Sequence, residues 1–353
     1  MELRWLEQTK AAAALDCALA DRKVVRWPIR LGTTPFFLLD FVQAASGARA
    51  SLPVLDASGA VVSRLDIRAD GSAYRILDVA PDGALLIGDR GGLLLAPFDP
   101  ERAAFADSQR ISDRLAWDAK FADAGRNIVF YRNESPLAFA GTDLRHSVWL
   151  WDRAIERAAP LDLGVADWNV GPILVHGEAV ALTGRFHAPR PSTQTGKLAA
   201  EDGPRAVHYF SAASRAPETA RSWGELAARA HRGEGVNGAA EGRAALGVIG
   251  EGAILVHARG ERRLELHQPD GRTDFLPYPA QGSALLANRL AGLYPGEVAL
   301  WPGGDGFLLG LDWEAGAAAY RLDGSGGLQL VPAPSRLVCS AAHNFAPLLQ
   351  ELR

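Results

Sequence analysis

Short runs in which apolar side chains occupy alternate or successive positions recur along the chain, and polar turns join them. In the run 147–163, Val148 and Leu150 fall on one side of a strand, while Trp149 and Trp151 fall on the other. Because both sides are apolar, we expect a strand packed between two neighbouring sheets. A polar turn and the run AAPLDL follow, so the segment is predicted to be a β-hairpin.

The same hairpin pattern returns along the chain. Pro, Asp, Ser and Gly are concentrated at the turn tips, where their backbone preferences suit tight turns. One or two further apolar runs precede most hairpins, such as ALLIGD, NIVFYR, AVALTG, AILVHA and GFLLGLD, which gives about four strands per unit. The hairpins occupy residues 52–67, 93–105, 207–220, 263–279 and 317–334.

Repeated units of four strands predict an all-β fold, a β-propeller formed by residues 24–343 as a single domain. Six blades are favoured over seven, because three long connections account for the extra length of the units. A two-sheet sandwich or two β domains would not explain the regular return of the hairpin. The three connections, treated as insertions, are 131–146, 185–206 and 224–243.

Both ends of the chain carry their own predictions. Residues 1–23 suggest a short amphipathic helix, and residues 344–353 a C-terminal tail. The run 336–341 is expected to form a strand beside 24–29, which would close the ring of blades and leave no exposed sheet edge. Cys17 and Cys339 form no metal-binding pattern and are predicted not to be bonded.

Two dipeptides, Trp117-Asp118 and Trp151-Asp152, are similar to the signature of WD-repeat proteins. No Gly-His dipeptide accompanies them, so the chain resembles β-propeller repeat proteins at the level of the fold, with no named enzyme family. That resemblance implies a rigid scaffold whose connecting loops carry the function.

Composition narrows the possible partners. The formal net charge of −4 offers no basic face for general nucleic-acid binding. No apolar run approaches the roughly 20 residues that span a bilayer. Glu2, Glu7 and Asp16 do not fit a signal peptide, so a cytoplasmic protein is expected. It is also expected to be a monomer.

Motifs that would identify a reaction are missing from the sequence. It contains no GxSxG nucleophile elbow, no HExxH zinc helix and no EF-hand loop, and no GxGxxG follows a strand at the head of a helix. Nucleotide hydrolysis and dinucleotide redox chemistry are therefore not expected, and no cofactor is predicted.

The long connections concentrate the candidate chemistry on one rim of the predicted propeller. Loops between a blade's second and third strands emerge on the same face as the links between blades, which places all three insertions together. A carboxylate beside a histidine could serve acid–base chemistry, and two histidines with Asp143 could bind a divalent metal. The simplest interpretation of these side chains is that they are solvated charges at strand ends. No metal is predicted. The candidate catalytic residues are His146, His187, His208, Asp143 and Glu134, and the candidate ligand-binding residues are Arg132, Arg145, His146, His187 and His208.

The third insertion carries a helix prediction. Ser222 and Glu225 form a capping-box pattern, which favours a helix of about ten residues starting there. Leu226, Ala227 and Ala230 would form its apolar stripe.

Two functions are compatible with these patterns. The first is a propeller that binds a protein, a peptide or a small ligand on the loop-rich face. The alternative is a small-molecule enzyme, a hydrolase, lyase or cyclase, with a histidine–carboxylate site at the mouth of the central channel.

Overall fold

The computed structural model describes residues 24–42, 49–68, 74–89, 91–134, 146–161, 167–187, 205–232, 243–258, 263–277, 298–300, 306–310, 317–322 and 328–331. The predicted N-terminal helix, the C-terminal tail, both cysteines and the closing strand at 336–341 lie outside these ranges. Contacts divide the chain into two compact units, which are Met1–Leu85 with Leu95–Gln109 and Tyr278–Arg353, and Leu86–Leu94 with Arg110–Pro277.

Strands dominate the described residues, in agreement with the predicted all-β class. The only helix among them is α1 (Pro217–Arg232). The strands are β1 (Val24–Arg30), β2 (Phe37–Val42), β3 (Arg49–Leu55), β4 (Val61–Arg68), β5 (Arg75–Val79), β6 (Leu85–Asp89), β7 (Gly92–Ala96), β8 (Phe98–Asp99), β9 (Ala104–Phe105), β10 (Gln109–Ser112), β11 (Ala116–Ala122), β12 (Asn127–Asn133), β13 (His146–Asp152), β14 (Arg157–Leu161), β15 (Asp167–His176), β16 (Ala179–His187), β17 (Arg205–Ser211), β18 (Arg243–Ile249), β19 (Ala253–Ala258), β20 (Arg263–His267), β21 (Thr273–Pro277), β22 (Val298–Leu300), β23 (Gly306–Gly310), β24 (Ala317–Leu322) and β25 (Leu328–Val331).

The strands form six sheets of three or four strands that follow one another along the chain, and a separate two-stranded ribbon. Sheet 1 has the order β1-β2-β3-β4, sheet 2 the order β10-β7-β6-β5, and sheet 3 the order β11-β12-β13-β14. Sheet 4 has the order β15-β16-β17, sheet 5 the order β18-β19-β20-β21, and sheet 6 the order β22-β23-β24-β25. The first unit contains sheets 1 and 6, the second contains sheets 3, 4 and 5, and sheet 2 contributes strands to both.

Four of the predicted hairpins are confirmed by strand pairing. In the hairpin β13–β14, Asp152 lies opposite Arg157 and its carboxylate accepts the Ala154 amide at 2.8 Å across the turn. Val148 and Leu150 are buried in a core cluster, as the alternating pattern required. The other three hairpins are β3–β4, β20–β21 and β24–β25.

The hairpin predicted at 93–105 has a different structure. β7 ends at Ala96, and the turn belongs to a separate two-stranded ribbon formed by β8 and β9. Pro97 has no amide hydrogen with which to continue a ladder, so the strand ends there. The outer strand of sheet 2 is β10 instead.

The hairpin predicted at 207–220 is wrong in its second half. β17 ends at Ser211, and α1 begins at Pro217 where a return strand was expected. Proline has the backbone angle of a first helical residue and costs no hydrogen bond there. The capping-box prediction is also wrong, because Ser222 lies inside this helix of 16 residues.

The predicted apolar stripe of α1 is buried. Leu226, Ala227 and Ala230 pack in one cluster with side chains of sheets 4 and 5. An added Cβ on Gly224 would lie 2.3 Å from the Tyr209 ring, so the absence of a side chain brings the helix close to β17. The partners in this cluster include Leu174, Ala181, Ala245, Ile254 and Val256.

Sheets 3 and 4 share a second core cluster. Tyr131 is fully buried in it, and its hydroxyl donates to the Thr183 carbonyl at 3.4 Å. Burial, followed by the negative charge of Asp118, raises the pKa of Tyr131 well above its usual value. The cluster contains Ala122, Val129, Tyr131, Val148, Leu150, Ile173, Val180, Leu182, Phe210 and Ala212.

Candidate functional site

Sheets 3 and 4 are aligned so that equivalent ends lie together. The Asp123 amide donates to the Gly177 carbonyl at 2.8 Å, which joins the turn after β11 to the turn after β15. We call this end the turn end. At the opposite end, called the loop end, β12 leads into the connection to β13 and β16 leads into the connection to β17. Both connections join second and third strands, as predicted, although residues 135–145 and 188–204 lie outside the described ranges.

A network of polar side chains organises the loop end of sheet 3. Glu134 Oε1 accepts a hydrogen bond from Ser147 Oγ at 2.5 Å and lies 3.4 Å from Arg132 Nε. Its Oε2 accepts from Arg114 at 2.6 Å. We call Arg114, Arg132, Glu134, Ser147 and Trp149 the Glu134 cluster.

Trp149 completes the cluster through two contacts. Its indole N–H donates to Ser147 Oγ at 2.7 Å, and the Arg132 guanidinium lies 4.8 Å from the centre of its ring. A guanidinium over an aromatic face combines cation–π attraction with stacking. Both oxygens of Glu134 already have donors, so the cluster is suited to fixing side-chain positions rather than to exchanging protons.

Trp117 lies at the loop end on the first strand of sheet 3. Its side chain is 49% exposed, although it is one of the largest apolar groups in the chain. The register of β11 against β12 shifts between Ala116 and Ala119, which is the irregularity that turns a side chain away from the regular alternation. The edge of the ring meets His146, with ring centres 6.3 Å apart.

His146 and His208 both lie in strands rather than in loops. His146 alternates with Val148 and Leu150, and His208 alternates with Phe210, so both face the core layer between sheets 3 and 4. His146 is buried, and burial lowers the pKa of the half-buried His208.

The remaining predicted residues are less completely placed. The backbone of His187 pairs with Asp167 at the end of β16. Asp143 and Arg145 lie outside the described residues. Among the residues that the structure describes, no group of three His, Cys, Asp or Glu side chains could hold a metal ion.

One buried constellation was missed by the sequence reasoning. Glu265 is fully buried in β20, where Arg263 bonds its Oε1 at 2.9 and 3.1 Å and His267 lies 3.3 Å from its Oε2. Arg263 also covers Phe275, at 4.5 Å from the ring centre. The alternation of three polar side chains in RLELH was the available signal, because alternate residues share a face of a strand.

A pocket at the turn end was also missed. It has a volume of about 380 Å³ and lies where sheet 3 meets the chain just after β17. Its arginines come from three separate segments, the turn after β11, the start of β14 and the turn after β17, so no local sequence pattern predicts the pocket. The lining residues are Arg126, Asn127, Leu150, Asp152, Ile155, Arg157, Ala159, Ala212, Ala213 and Arg215.

No family model matches the chain, and no curated protein matches it in sequence. Among solved structures, the tricorn protease aligns with a TM-score of 0.51 and 11% identity, over 90% of this chain and 31% of that one. The chain therefore spans about a third of that protease, and the likeness concerns the fold alone.

Two further structures align less closely. The Dos1 propeller gives a TM-score of 0.44 and 11% identity, over 85% of this chain and 68% of that one. Virginiamycin B lyase from Staphylococcus aureus gives 0.45 and 8%, over 91% and 85%. The six successive sheets of three or four strands give the described chain a β-propeller-like fold, which agrees with the prediction from the repeated hairpins. Within the described ranges, no helix is long and apolar enough to cross a bilayer.

Proposed function

We propose that this protein is a binding propeller of six blades that holds a peptide or a protein segment at the loop end of sheets 3 and 4. The observation that carries the proposal is the exposed Trp117 at the loop end of sheet 3, the same end of the sheet at which the Glu134 cluster is ordered. The six successive sheets support the blade count.

Trp117 has the properties of a contact residue at an interface. Tryptophan and arginine are enriched among the residues that dominate binding energies. The edge contact with His146 fixes the ring before a partner arrives, which reduces the entropy lost on binding. Arg114, with 45% of its side chain exposed, is paired with Glu134 on the same strand-end segment and would donate its remaining N–H groups to a partner.

The predicted ligand-binding residues take different parts in this proposal. Arg132 supports the surface through Glu134 and Trp149. Arg145, which lies outside the described residues, and His187, at the end of β16, are proposed as further contacts of the partner from their positions in the sequence. The ring of His146 contacts the edge of the Trp117 ring. His208 faces the core layer between sheets 3 and 4.

The enzyme alternative has less support from the described geometry. A general acid or base must reach the substrate within hydrogen-bond distance. His146 is 4% exposed and faces the core layer, and Glu134 is held by three side chains. No observation on the described residues favours catalysis over binding.

The test is a selection of peptides on the immobilised full-length protein, with counter-selection on the Trp117→Ala variant. Peptides retained by the wild type alone would then be measured by titration calorimetry. Loss of a central tryptophan contact should weaken binding by at least about thirtyfold, since hot-spot residues contribute about 2 kcal/mol or more.

The control is Phe275→Ala, which removes an aromatic side chain of similar exposure, 51%, from sheet 5. Selected peptides should bind this variant as they bind the wild type. Peptides that bind Trp117→Ala and the wild type equally would place the binding surface elsewhere.

A further inference from the structure

We propose that the turn-end pocket is a binding site for an organic oxyanion, a carboxylate or a phosphate ester with a small apolar part. The pocket lies at the end of sheet 3 opposite Trp117, so this site is independent of the proposed peptide surface. Four observations support it, and they concern charge, backbone conformation, rigidity and the apolar wall.

Positive charge exceeds negative charge among the residues that line the pocket. Its lining contains Arg126, Arg157 and Arg215 against a single carboxylate, Asp152, which leaves two net positive charges. Arg126 lies 3.5 Å from Asp152 and is neutralised by it. Within the described chain, no ion pair is formed by Arg157 or Arg215, so both guanidinium groups are available to an anion.

The turns that present these arginines have an unfavourable backbone conformation. Arg215 has a φ of 61°, and Glu156, directly before Arg157, has a φ of 51°. Side-chain-bearing residues rarely occupy this left-handed region, where glycine is the ordinary choice. Non-glycine residues in such conformations occur preferentially at functional sites, which makes an arginine at position 215 informative.

The turn that holds Arg215 is closed by several hydrogen bonds. The Arg215 amide donates to the Ser211 carbonyl at 2.8 Å, and the Ser211 amide donates to the Ala216 carbonyl at 3.0 Å. Ser211 Oγ donates to Glu178 at 2.7 Å and accepts from the Ser214 amide at 3.1 Å. The backbone at Arg215 is thus fixed before a ligand binds, so only its side chain loses conformational freedom on binding.

An apolar wall completes the pocket and indicates the rest of the ligand. Leu150, Ala159 and Ala212 line it, and Ile155 is 67% exposed at its edge. Two guanidinium groups match the paired oxygens of a carboxylate or a phosphate. The wall would cover a hydrocarbon part, which an inorganic ion does not have.

The experiment is calorimetric titration of the full-length protein with phenyl phosphate, benzoate and inorganic phosphate. Saturable binding of either organic anion supports the site, and the tighter of the two identifies the head group. Inorganic phosphate should bind more weakly than phenyl phosphate. Binding of none of the three at millimolar concentration would overturn the proposal.

Two variants assign the binding to this pocket. Arg157→Gln and Arg215→Gly should each weaken binding of the organic anion by about tenfold or more, as expected for a charge-assisted hydrogen bond. Glycine is favoured at the φ of Arg215, so this variant should keep its melting temperature. The control Arg272→Gln removes an exposed arginine from sheet 5 and should bind normally. Unchanged affinity in both pocket variants would also overturn the proposal.

Discussion

The carboxylate of Asp118, in the first strand of sheet 3, accepts the backbone amide of Ile173, in the first strand of sheet 4, at 2.8 Å. Its other oxygen accepts the Ala119 amide at 2.9 Å. Trp117 and Asp118, which the sequence suggested as a WD-type dipeptide, therefore have separate structural roles. The aspartate joins two sheets, and the tryptophan is exposed.

We expect Asp118→Ala to destabilise the protein. Ile173 is buried, so its amide would lose its partner without gaining water, at a cost of about 1–3 kcal/mol. Asp118→Asn retains one acceptor oxygen and should lose less. Thermal melting followed by circular dichroism measures the stability of both variants. An unchanged melting temperature for Asp118→Ala would show that the hydrogen bond between Asp118 and Ile173 does not stabilise the protein.

Gly224→Ala should be destabilising although alanine is the better helix former. Alanine in place of glycine stabilises a helix by about 1 kcal/mol. Against it, the new Cβ would lie 2.3 Å from the Tyr209 ring, which forces the helix away from β17 and should cost about 1–3 kcal/mol.

The matched variant in the same helix is Ser222→Ala. Ser222 is exposed within α1 rather than at its start, so its loss should leave the melting temperature equal or slightly raised. A marked loss of stability in Ser222→Ala would restore the capping-box interpretation.

Glu265→Gln should lower stability by about 3 kcal/mol, because Arg263 would retain a positive charge in a largely buried position without its anion. The double variant Arg263→Met with Glu265→Leu removes both charges and should lose less than the single variant. Urea unfolding of the wild type and both variants provides the comparison. Equal stability of Glu265→Gln and the wild type would show that the ion pair contributes nothing.

His208 should make stability depend on pH. Burial lowers its pKa in the folded chain below the value of 6.5 expected when it is unfolded. As the pH falls through about 6.5, the unfolded chain takes up a proton before the folded chain does, so the free energy of unfolding decreases towards the lower folded pKa. Above that range the contribution is complete.

The measurement is the melting temperature of the wild type and of His208→Gln between about pH 7 and pH 5. The variant should lose less stability over this interval than the wild type. The control is Ser222→Ala, which removes no titratable group and should leave the pH dependence unchanged. Parallel curves for the wild type and His208→Gln would refute the prediction.

Elements that depend on contacts between residues close together in the sequence could be predicted, whereas elements that depend on contacts between distant residues could not. The hairpin β13–β14 was predictable, because alternating apolar residues and a polar turn specify it locally. The return strand after β17 was predicted wrongly, because Pro217 starts a helix whose apolar stripe is completed by sheet 5.

The same distinction applies to the sites. Arg132 and Glu134 could be predicted as site residues because they lie in one predicted loop. The register of the strands then brings Arg114, Ser147 and Trp149 into contact with them. The turn-end arginines come from segments far apart in the chain. Such convergence is a property of the folded chain and leaves no periodic trace in the sequence.

The burial of α1 between sheets 4 and 5 has a consequence for synthesis of the chain on the ribosome. The helix packs against Leu174 and Ala181, which are made before it, and against Ile254 and Val256, which are made after it. The helix can pack against sheet 4 as soon as it has formed, but the part of its apolar stripe that faces sheet 5 stays uncovered until β19 has emerged. Sheets 4 and 5 therefore mature as one cotranslational unit, and a polypeptide cut between them would separate two fragments that each lack part of a shared core.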